Sequence, residues 1–137
     1  MFVTGPTGCG KTHLAAGIVR ALIEVGKRAS FRRAADLYAQ VRASYGAMDD
    51  LSETAILAGY CGSPILVLDD LASGSLSDHE RRIALEVIDR RGNDERPTII
   101  TSNWTIDEIS SKMDERIASR LRSYKFIGFK GHDRRAK

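Results

Sequence analysis

The sequence has little cysteine, no long apolar run and no low-complexity linker, and each shortage narrows the class of protein. Its two cysteines, Cys9 and Cys61, belong to no Cys-x-x-Cys or Cys/His cluster, so neither a zinc site nor a disulfide framework is implied. No run approaches the roughly 18 apolar residues of a membrane span, and no basic segment leads into an apolar one as in a signal peptide. We therefore expect a cytoplasmic protein with no membrane partner.

The length and the charge distribution suggest one domain with a basic end. A chain of 137 residues with 42% hydrophobic residues can bury a core but is too short for two domains, so we treat residues 1–137 as one domain. Of the net charge of +3, residues 112–137 alone carry nine Lys or Arg against three acids, a net of +6. Such an end is typical of proteins that meet a polyanion or nucleotide phosphate, and also of a solvated tail.

One motif near the start of the chain predicts a phosphate site. Every fixed position of the spacing G-x-x-x-x-G-K-[ST] is matched by Gly5, Pro6, Thr7, Gly8, Cys9, Gly10, Lys11 and Thr12. The apolar pair Phe2-Val3 precedes the motif, and apolar residues at helical spacing follow it, so the context is strand, loop, helix. This is the context that a P-loop requires, and a glycine-rich turn without a ligand is the competing interpretation.

The residue types of this loop each suit one task in binding ATP. Glycines allow backbone N–H groups to surround phosphate oxygens, and the following helix directs its positive end at them. Lys11 is expected to reach the β and γ phosphates, and Thr12 to hold Mg²⁺. We also count His13, directly after the loop, among the expected nucleotide contacts.

Beyond the loop, apolar runs alternate with helical patterns. Strands are predicted at 2–3, 29–31, 65–68, 98–101 and 125–129. Helices are predicted from the P-loop to Val25, over 34–45, over 51–60, from Ser77 to about Gly92, from Thr105 and from about Asp114, with a loop at 46–50. This alternation predicts an α/β three-layer sandwich with a mainly parallel five-stranded sheet.

ATP hydrolysis needs a second element, an acid at the end of a buried strand. Asp69 and Asp70 follow the apolar run 65–68, and we expect Asp69 to hold magnesium and Asp70 to act as the base that polarises water. Asn103 follows the predicted strand 98–101, where it could sense the γ-phosphate or simply form a turn.

Two arginines at helical spacing are candidates for an arginine finger. Arg116 and Arg120 lie one turn apart, and either could enter the site of a neighbouring subunit. A solvated basic face explains the same spacing.

Four patterns in one order then resemble a known family. They are GPTGCGKTHLA (5–15), ILVLDDL (65–71), PTIITSNW (97–104) and ERIASRL (115–121), and the ending GHDRR (131–135) fits as well. Together they resemble the AAA+ ATPases of the DnaC/IstB type, the bacterial and phage helicase loaders and their transposition-helper relatives. The resemblance covers nearly the whole chain.

This resemblance implies roles for single residues. Lys11 and Thr12 match the Walker A pair, and Asp69 and Asp70 the Walker B acids. Asn103 matches the sensor.

The same resemblance assigns the arginines. Arg120 matches the arginine of SRL and would be the trans-acting finger. Arg116 is the second choice for this role. Arg134 would contact the nucleotide in cis.

The family further implies ATP and ADP as ligands, a homo-oligomeric ring or spiral formed on ATP binding, and single-stranded DNA in its channel. Arg32, Arg33 and Arg42, with Tyr38 between them, could supply phosphate contacts and a stacking face for DNA, or form a plain surface helix. Loaders also carry an N-terminal region that grips the replicative helicase. This sequence lacks that region and most of a C-terminal lid, so we expect helicase binding of a longer parent protein. Ala72 replaces the usual glycine after DDL.

Three alternatives remain open at this stage. An IstB-like transposition helper would use the same site with a transposase and a target duplex. A P-loop nucleotide or small-molecule kinase would need an acceptor pocket and an arginine-rich lid. An interaction module could bind ATP and barely hydrolyse it.

Overall fold

The structure is a computed structural model that describes residues 1–45, 52–72 and 74–131. Its elements in chain order are β1 (Phe2–Thr4), α1 (Lys11–Glu24), β2 (Ala29–Arg33), α2 (Ala34–Ser44), α3 (Glu53–Gly62), β3 (Ile65–Asp69), α4 (Asp78–Asn93), β4 (Thr98–Ser102), α5 (Ile106–Lys112), α6 (Glu115–Leu121) and β5 (Phe126–Gly128). Each predicted strand and helix is present, with ends shifted by a few residues. The predicted loop at 46–50 lies outside the described residues.

A capping box begins each of the helices α4 and α5. The Ser77 hydroxyl accepts a hydrogen bond from the Glu80 N–H at 3.2 Å, and the Glu80 carboxylate accepts one from the Ser77 N–H at 2.8 Å. Thr105 and Glu108 do the same for α5, at 3.2 and 3.0 Å. These bonds satisfy first-turn N–H groups that no helical carbonyl can reach.

The buried face of α1 differs slightly from the predicted one. The helical spacing after the loop predicts an apolar face of Leu14, Ile18, Leu22 and Val25, whereas Ala15 and Val19 lie at its buried centre. Leu14 and Ile18 flank this centre, and Val25 is 70% exposed because the helix has already ended at Glu24.

All five strands are parallel, in the order β2-β3-β4-β1-β5, which confirms the predicted, mainly parallel five-stranded sheet. Residues of β3 and β4 are almost fully buried, which explains their continuous apolar runs. The order places β4 between β1 and β3. Loops that follow β1 and β3 therefore lie on either side of the end of β4.

Two hydrophobic clusters cover the two faces of the sheet. Val3, Val67 and Ile99 pack with α1 residues on one face. Phe2, Leu66, Leu68 and Ile100 point to the other face, where they pack with residues of α2 to α6. Because neighbouring strand residues point to opposite faces, these clusters form a three-layer sandwich.

We call the edge where the strands end the carboxyl edge and the opposite one the amino edge. Thr4, Asp69 and Ser102 are the last residues of β1, β3 and β4 and so meet at the carboxyl edge. In open parallel sheets this edge is the usual place for ligands. Within the described ranges, no helix combines the length and apolar character needed to cross a bilayer.

Candidate nucleotide-binding site

A cleft of about 780 Å³ opens at the carboxyl edge, between the P-loop and the ends of β3 and β4. This volume falls within the range of small-molecule sites. Its lining comprises most of the P-loop and the residues at the strand ends: Thr7, Gly8, Cys9, Gly10, Lys11, Thr12, His13, Arg33, Ala35, Asp69, Asp70, Thr101, Asn103 and Phe129.

Two glycines permit the conformation of the loop. Gly10, the N-cap residue directly before α1, has a φ of 103°, in the left-handed region that residues with a side chain disfavour. A Cβ built on Gly5 would lie 2.7 Å from both the Cβ and the carbonyl oxygen of Phe129, closer than atoms can approach. The loop can therefore pack against the end of β5 only with glycine at position 5.

The ammonium group of Lys11 lies inside the loop. Lys11 is only 7% exposed, and its Nζ donates to the carbonyl oxygens of Gly5 and Pro6, both at 2.8 Å. The Cys9 sulfur lies 3.7 Å from the same nitrogen. A phosphate oxygen at the cleft would compete well for these N–H groups, because charged acceptors form stronger hydrogen bonds than carbonyls.

The first acid of the strand end faces the P-loop hydroxyl. Thr12 Oγ1 lies 3.1 Å from both carboxylate oxygens of Asp69, although the two residues are 57 positions apart. Asp69 Oδ1 also accepts a hydrogen bond of 2.7 Å from Thr101 Oγ1, and Asp69 is 4% exposed. The fold thus joins the two halves of the predicted site.

The second acid, Asp70, has an unusual backbone. Its φ of 56° lies in the left-handed region, which is strained for a residue with a Cβ and often marks a functional site. Its N–H donates to Thr101 Oγ1 at 2.9 Å, and its carboxylate accepts from Asn103 Nδ2 at 3.2 Å. These bonds aim the carboxylate at the cleft.

The surroundings also shift the pKa of this carboxylate. Burial raises the pKa of Asp70, and the neighbouring charge of Asp69 raises it further. The positive charges of Lys11 and Arg33 oppose this rise in pKa without cancelling it. A carboxylate that accepts a proton more readily than usual suits a general base.

The residues present fit a magnesium ion. Hydroxyl and carboxylate oxygens, as on Thr12 and Asp69, are the donors that Mg²⁺ prefers. Over the part of the chain that is described, no three His, Cys, Asp or Glu side chains gather at one point. An ion held here would take its other ligands from phosphate and water, as Mg²⁺ does in nucleotide sites.

Most predicted site residues meet in this cleft. Residues 7–13, Asp69, Asp70 and Asn103 line it, whereas Gly5 and Pro6 act one layer behind, through the carbonyl groups that hold Lys11.

Two of the three predicted arginines lie outside the cleft. Arg116 and Arg120 lie on α6 and do not line the cleft. Arg134 lies outside the described residues.

Sequence reasoning missed four residues of the cleft. Thr101 connects Asp69 to the Asp70 backbone, while Arg33, Ala35 and Phe129 form part of the wall. The signal for Thr101 was available, since a hydroxyl at the end of a buried strand beside another strand that ends in acids has to find a polar partner.

The predicted stacking face for DNA is wrong. Tyr38 is 5% exposed, and its hydroxyl donates to the Leu71 carbonyl, so its ring belongs to the core. The arginines around it also diverge. Arg32 lies over the Tyr60 ring, Arg42 pairs with Glu80, and Arg33 faces the cleft.

Comparison with known proteins places this geometry in a family. Residues 1–127 match the family described as IstB-like ATP binding protein. The replicative helicase loader DnaC of Escherichia coli strain K12 is 29% identical over 119 residues, which are 87% of this chain and 48% of that protein. The chain thus spans about half the length of the curated relatives it matches.

Solved structures agree on the fold. The crystal structure of the DnaC helicase loader matches 95% of this chain and 77% of its own, with a TM-score of 0.81 and 29% identity. The structure of DnaI matches 95% and 72%, with a TM-score of 0.80, and at 22% identity it supports the fold alone. The sheet and its helices therefore form a P-loop AAA+ fold.

Proposed function

The chain belongs to the family of IstB-like ATP-binding proteins, and from this premise we propose that it is the ATP-hydrolysing module of a DnaC-like helicase loader. One observation carries the proposal: Thr12 and Asp69 meet at 3.1 Å, which joins the phosphate loop to the strand-end acids in one cleft. The match to helicase loaders favours this role over a nucleotide kinase.

In this proposal the loop binds the triphosphate of ATP. N–H groups at the start of α1 and the helix dipole attract the phosphates, and Lys11 exchanges its carbonyl partners for β and γ oxygens. Cys9 and His13 border the same space. Mg²⁺ held by Thr12 and Asp69 would neutralise charge on the phosphates.

Asp70 acts as the general base for the attacking water. Its carboxylate is fixed by Asn103 and by its own strained backbone, and its raised pKa favours uptake of a proton. Asn103 is then placed to connect the state of the γ-phosphate to the orientation of Asp70.

Arg120 completes the site of a neighbouring copy. It lies on α6 outside the cleft of its own chain, as a residue acting in trans should. An arginine that reaches the transferred phosphoryl group in trans can raise turnover about 10³- to 10⁵-fold. Arg116, one turn earlier on α6, is the second choice for this role, and Asp114 in the helix cap binds it at 2.9 and 3.1 Å.

The names of the relatives suggest the biological setting. Since the matched DnaC proteins are named as replicative helicase loaders, we assign a replicative helicase as partner, and we keep single-stranded DNA as the ligand that the family resemblance implied. The family description also keeps an IstB-like transposition helper in view. Stimulation of turnover by single-stranded DNA supports the loader, and stimulation by duplex DNA alone supports the helper.

A mixing experiment tests the site and its completion in trans. Lys11→Ala removes the phosphate-binding ammonium but leaves Arg120, and Arg120→Ala does the reverse. Each variant alone should hydrolyse ATP poorly, whereas their mixture should regain part of the wild-type rate because one interface combines intact halves. Arg116→Ala serves as control. Full activity of Arg120→Ala by itself contradicts the trans role, and no turnover by the wild type at any concentration contradicts the ATPase.

A further inference from the structure

The guanidinium of Arg120 is already engaged by another element of its own chain. Its Nε and Nη2 face the two carboxylate oxygens of Asp89 on α4, with Nη2 to Oδ2 at 3.4 Å. The two side chains are 45% and 34% exposed, so the pair lies at the surface, within reach of an approaching molecule.

The pair is not needed to hold α6 on α4. Ile117 and Leu121 of α6 are fully buried in the same hydrophobic cluster as Ile88 of α4. This apolar contact fixes the two helices whether or not the surface ion pair forms.

The other arginines of this region are bound within their own segment. Arg116 pairs with Asp114, the cap of α6, and Arg122 pairs with Glu115 in the first turn of α6. Arg120 differs because its partner belongs to α4. Asp89 is therefore placed to control the direction of the Arg120 side chain, which it binds directly, while it acts on Arg116 only through its charge.

We propose that Asp89 is an acidic latch that holds Arg120 on its own subunit and has to release it before the arginine can enter the nucleotide site of a neighbouring copy. This inference rests on the proposed trans role of Arg120. The carboxylate of Asp89 and the phosphate of the neighbour's ATP compete for one guanidinium, because each can accept two parallel hydrogen bonds from arginine. Assembly then responds to ATP because the phosphate groups of ATP bind Arg120 more strongly than the Asp89 carboxylate does.

The ion pair of the latch is weak because both side chains are partly exposed. An ion pair with this exposure changes an equilibrium constant, here that of assembly, by up to about fivefold. Such a strength restrains assembly without ATP and is still overcome by a triphosphate, whose charge is several times that of one carboxylate.

Self-association of the purified chain tests the latch without relying on turnover. Asp89→Asn keeps the shape of the side chain and removes its charge. Glu86→Gln is the matched control, because it removes an acid from the same helix that pairs with Arg90 at 2.6 Å and does not contact Arg120. Sedimentation in saturating non-hydrolysable ATP analogue gives the protein concentration at half-assembly for each protein, and thermal melting checks that all are folded.

Asp89→Asn should lower the half-assembly concentration about two- to fivefold, Asp89→Glu should restore much of the wild-type value, and Glu86→Gln should leave it unchanged. In an Arg120→Ala background, Asp89→Asn should have no effect. An Asp89→Asn protein that assembles no more readily than wild type, or less readily, overturns the latch. Assembly that follows the prediction without any ATP turnover would instead support the latch and contradict the proposed ATPase.

Discussion

Each edge of the sheet buries one basic side chain, and the two are held differently. At the amino edge, Arg91 is fully buried. Its guanidinium donates to Thr98 Oγ1 and to the carbonyl oxygens of Tyr60, Cys61, Ser63 and Pro97, at 2.7 to 3.1 Å. At the carboxyl edge, Lys11 donates to two carbonyl oxygens of the loop and borders an open cleft. The hydrogen bonds of Arg91 are enclosed by the protein, whereas a ligand in the cleft can replace those of Lys11.

The backbone does not separate the two edges in the same way. Asp70, at the carboxyl edge, has φ of 56°, and Glu95, in the turn between α4 and β4 at the amino edge, has φ of 52°. The partners of the two cations therefore carry the distinction. We conclude from them that the amino edge stabilises the fold and that the carboxyl edge leaves a charged group for a ligand.

The largest effect is expected from Arg91→Met. This change removes the guanidinium from five acceptors, of which the Pro97 carbonyl keeps the Leu66 N–H as a donor, and we expect the free energy of unfolding to fall by about 3–5 kcal/mol. Arg90→Met, one residue earlier at an exposed position, should change it by less than about 1 kcal/mol. Urea unfolding measures both. Equal losses in the two variants would show that the buried network does not stabilise the amino edge.

Asp70→Asn, at the carboxyl edge, should reduce ATP turnover and not the stability of the fold. We expect ATP turnover to fall about 10²- to 10⁴-fold with little change in ATP affinity, since the base is lost and the phosphate contacts remain. Steady-state turnover and calorimetric titration separate the two quantities.

The stability of this variant should depend on pH. Because the folded-state pKa of Asp70 is raised, its ionised form destabilises the fold, and Asn should be the more stable side chain at pH 7. The gain should vanish below the ordinary pKa of Asp, where the carboxyl is protonated in both states. Thermal melting in chelator at several pH values checks this, with Glu24→Gln as control. If Asp70→Asn is less stable than wild type at pH 7, the ionised carboxylate of Asp70 does not destabilise the fold.

Two threonines of β4 give a matched pair across the sheet. Thr98 bonds Arg91 at the amino edge, and Thr101 bonds Asp69 and the Asp70 N–H at the carboxyl edge. Each Thr→Val change should lower the free energy of unfolding by about 1–3 kcal/mol. Only Thr101→Val should also reduce turnover, by about tenfold or more, because the acids lose their alignment. A similar loss of turnover in Thr98→Val would remove the distinction between the edges.

The smallest effect is expected at the α5 cap, away from the cleft. Hydrogen bonding by the Thr105 N–H and by Lys112 lowers the pKa of Glu108 to about 2. The stabilisation is therefore present above the ordinary pKa of Glu and is lost as pH falls through about 2. Glu108→Gln should lower the melting temperature slightly at pH 7 and by less at pH 2, where part of the carboxylate is protonated, with turnover unchanged. A melting difference that is the same at both pH values argues against the cap.

How much the sequence predicts also differs between the edges. The residues of the carboxyl edge belong to short sequence motifs. The P-loop, the acids at the end of β3 and Asn103 could therefore be predicted, and they do line one cleft. Arg91 could not, because its partners come from residues 60–63 and 97–98 and form no local pattern. Tyr38 failed for a related reason: aromatic and basic residues close in sequence suggest a surface, while packing placed the ring in the core.

The most direct test of this division is the response of Lys11→Gln to ATP. Wild type should be stabilised by about 2.7 kcal/mol at a ligand concentration of 100 Kd, and the exposed control Lys125→Gln should respond equally. Lys11→Gln should keep its own free energy of unfolding within about 1 kcal/mol of wild type and lose most of the ATP-dependent stabilisation. A Lys11→Gln protein that ATP stabilises as much as wild type would contradict the account.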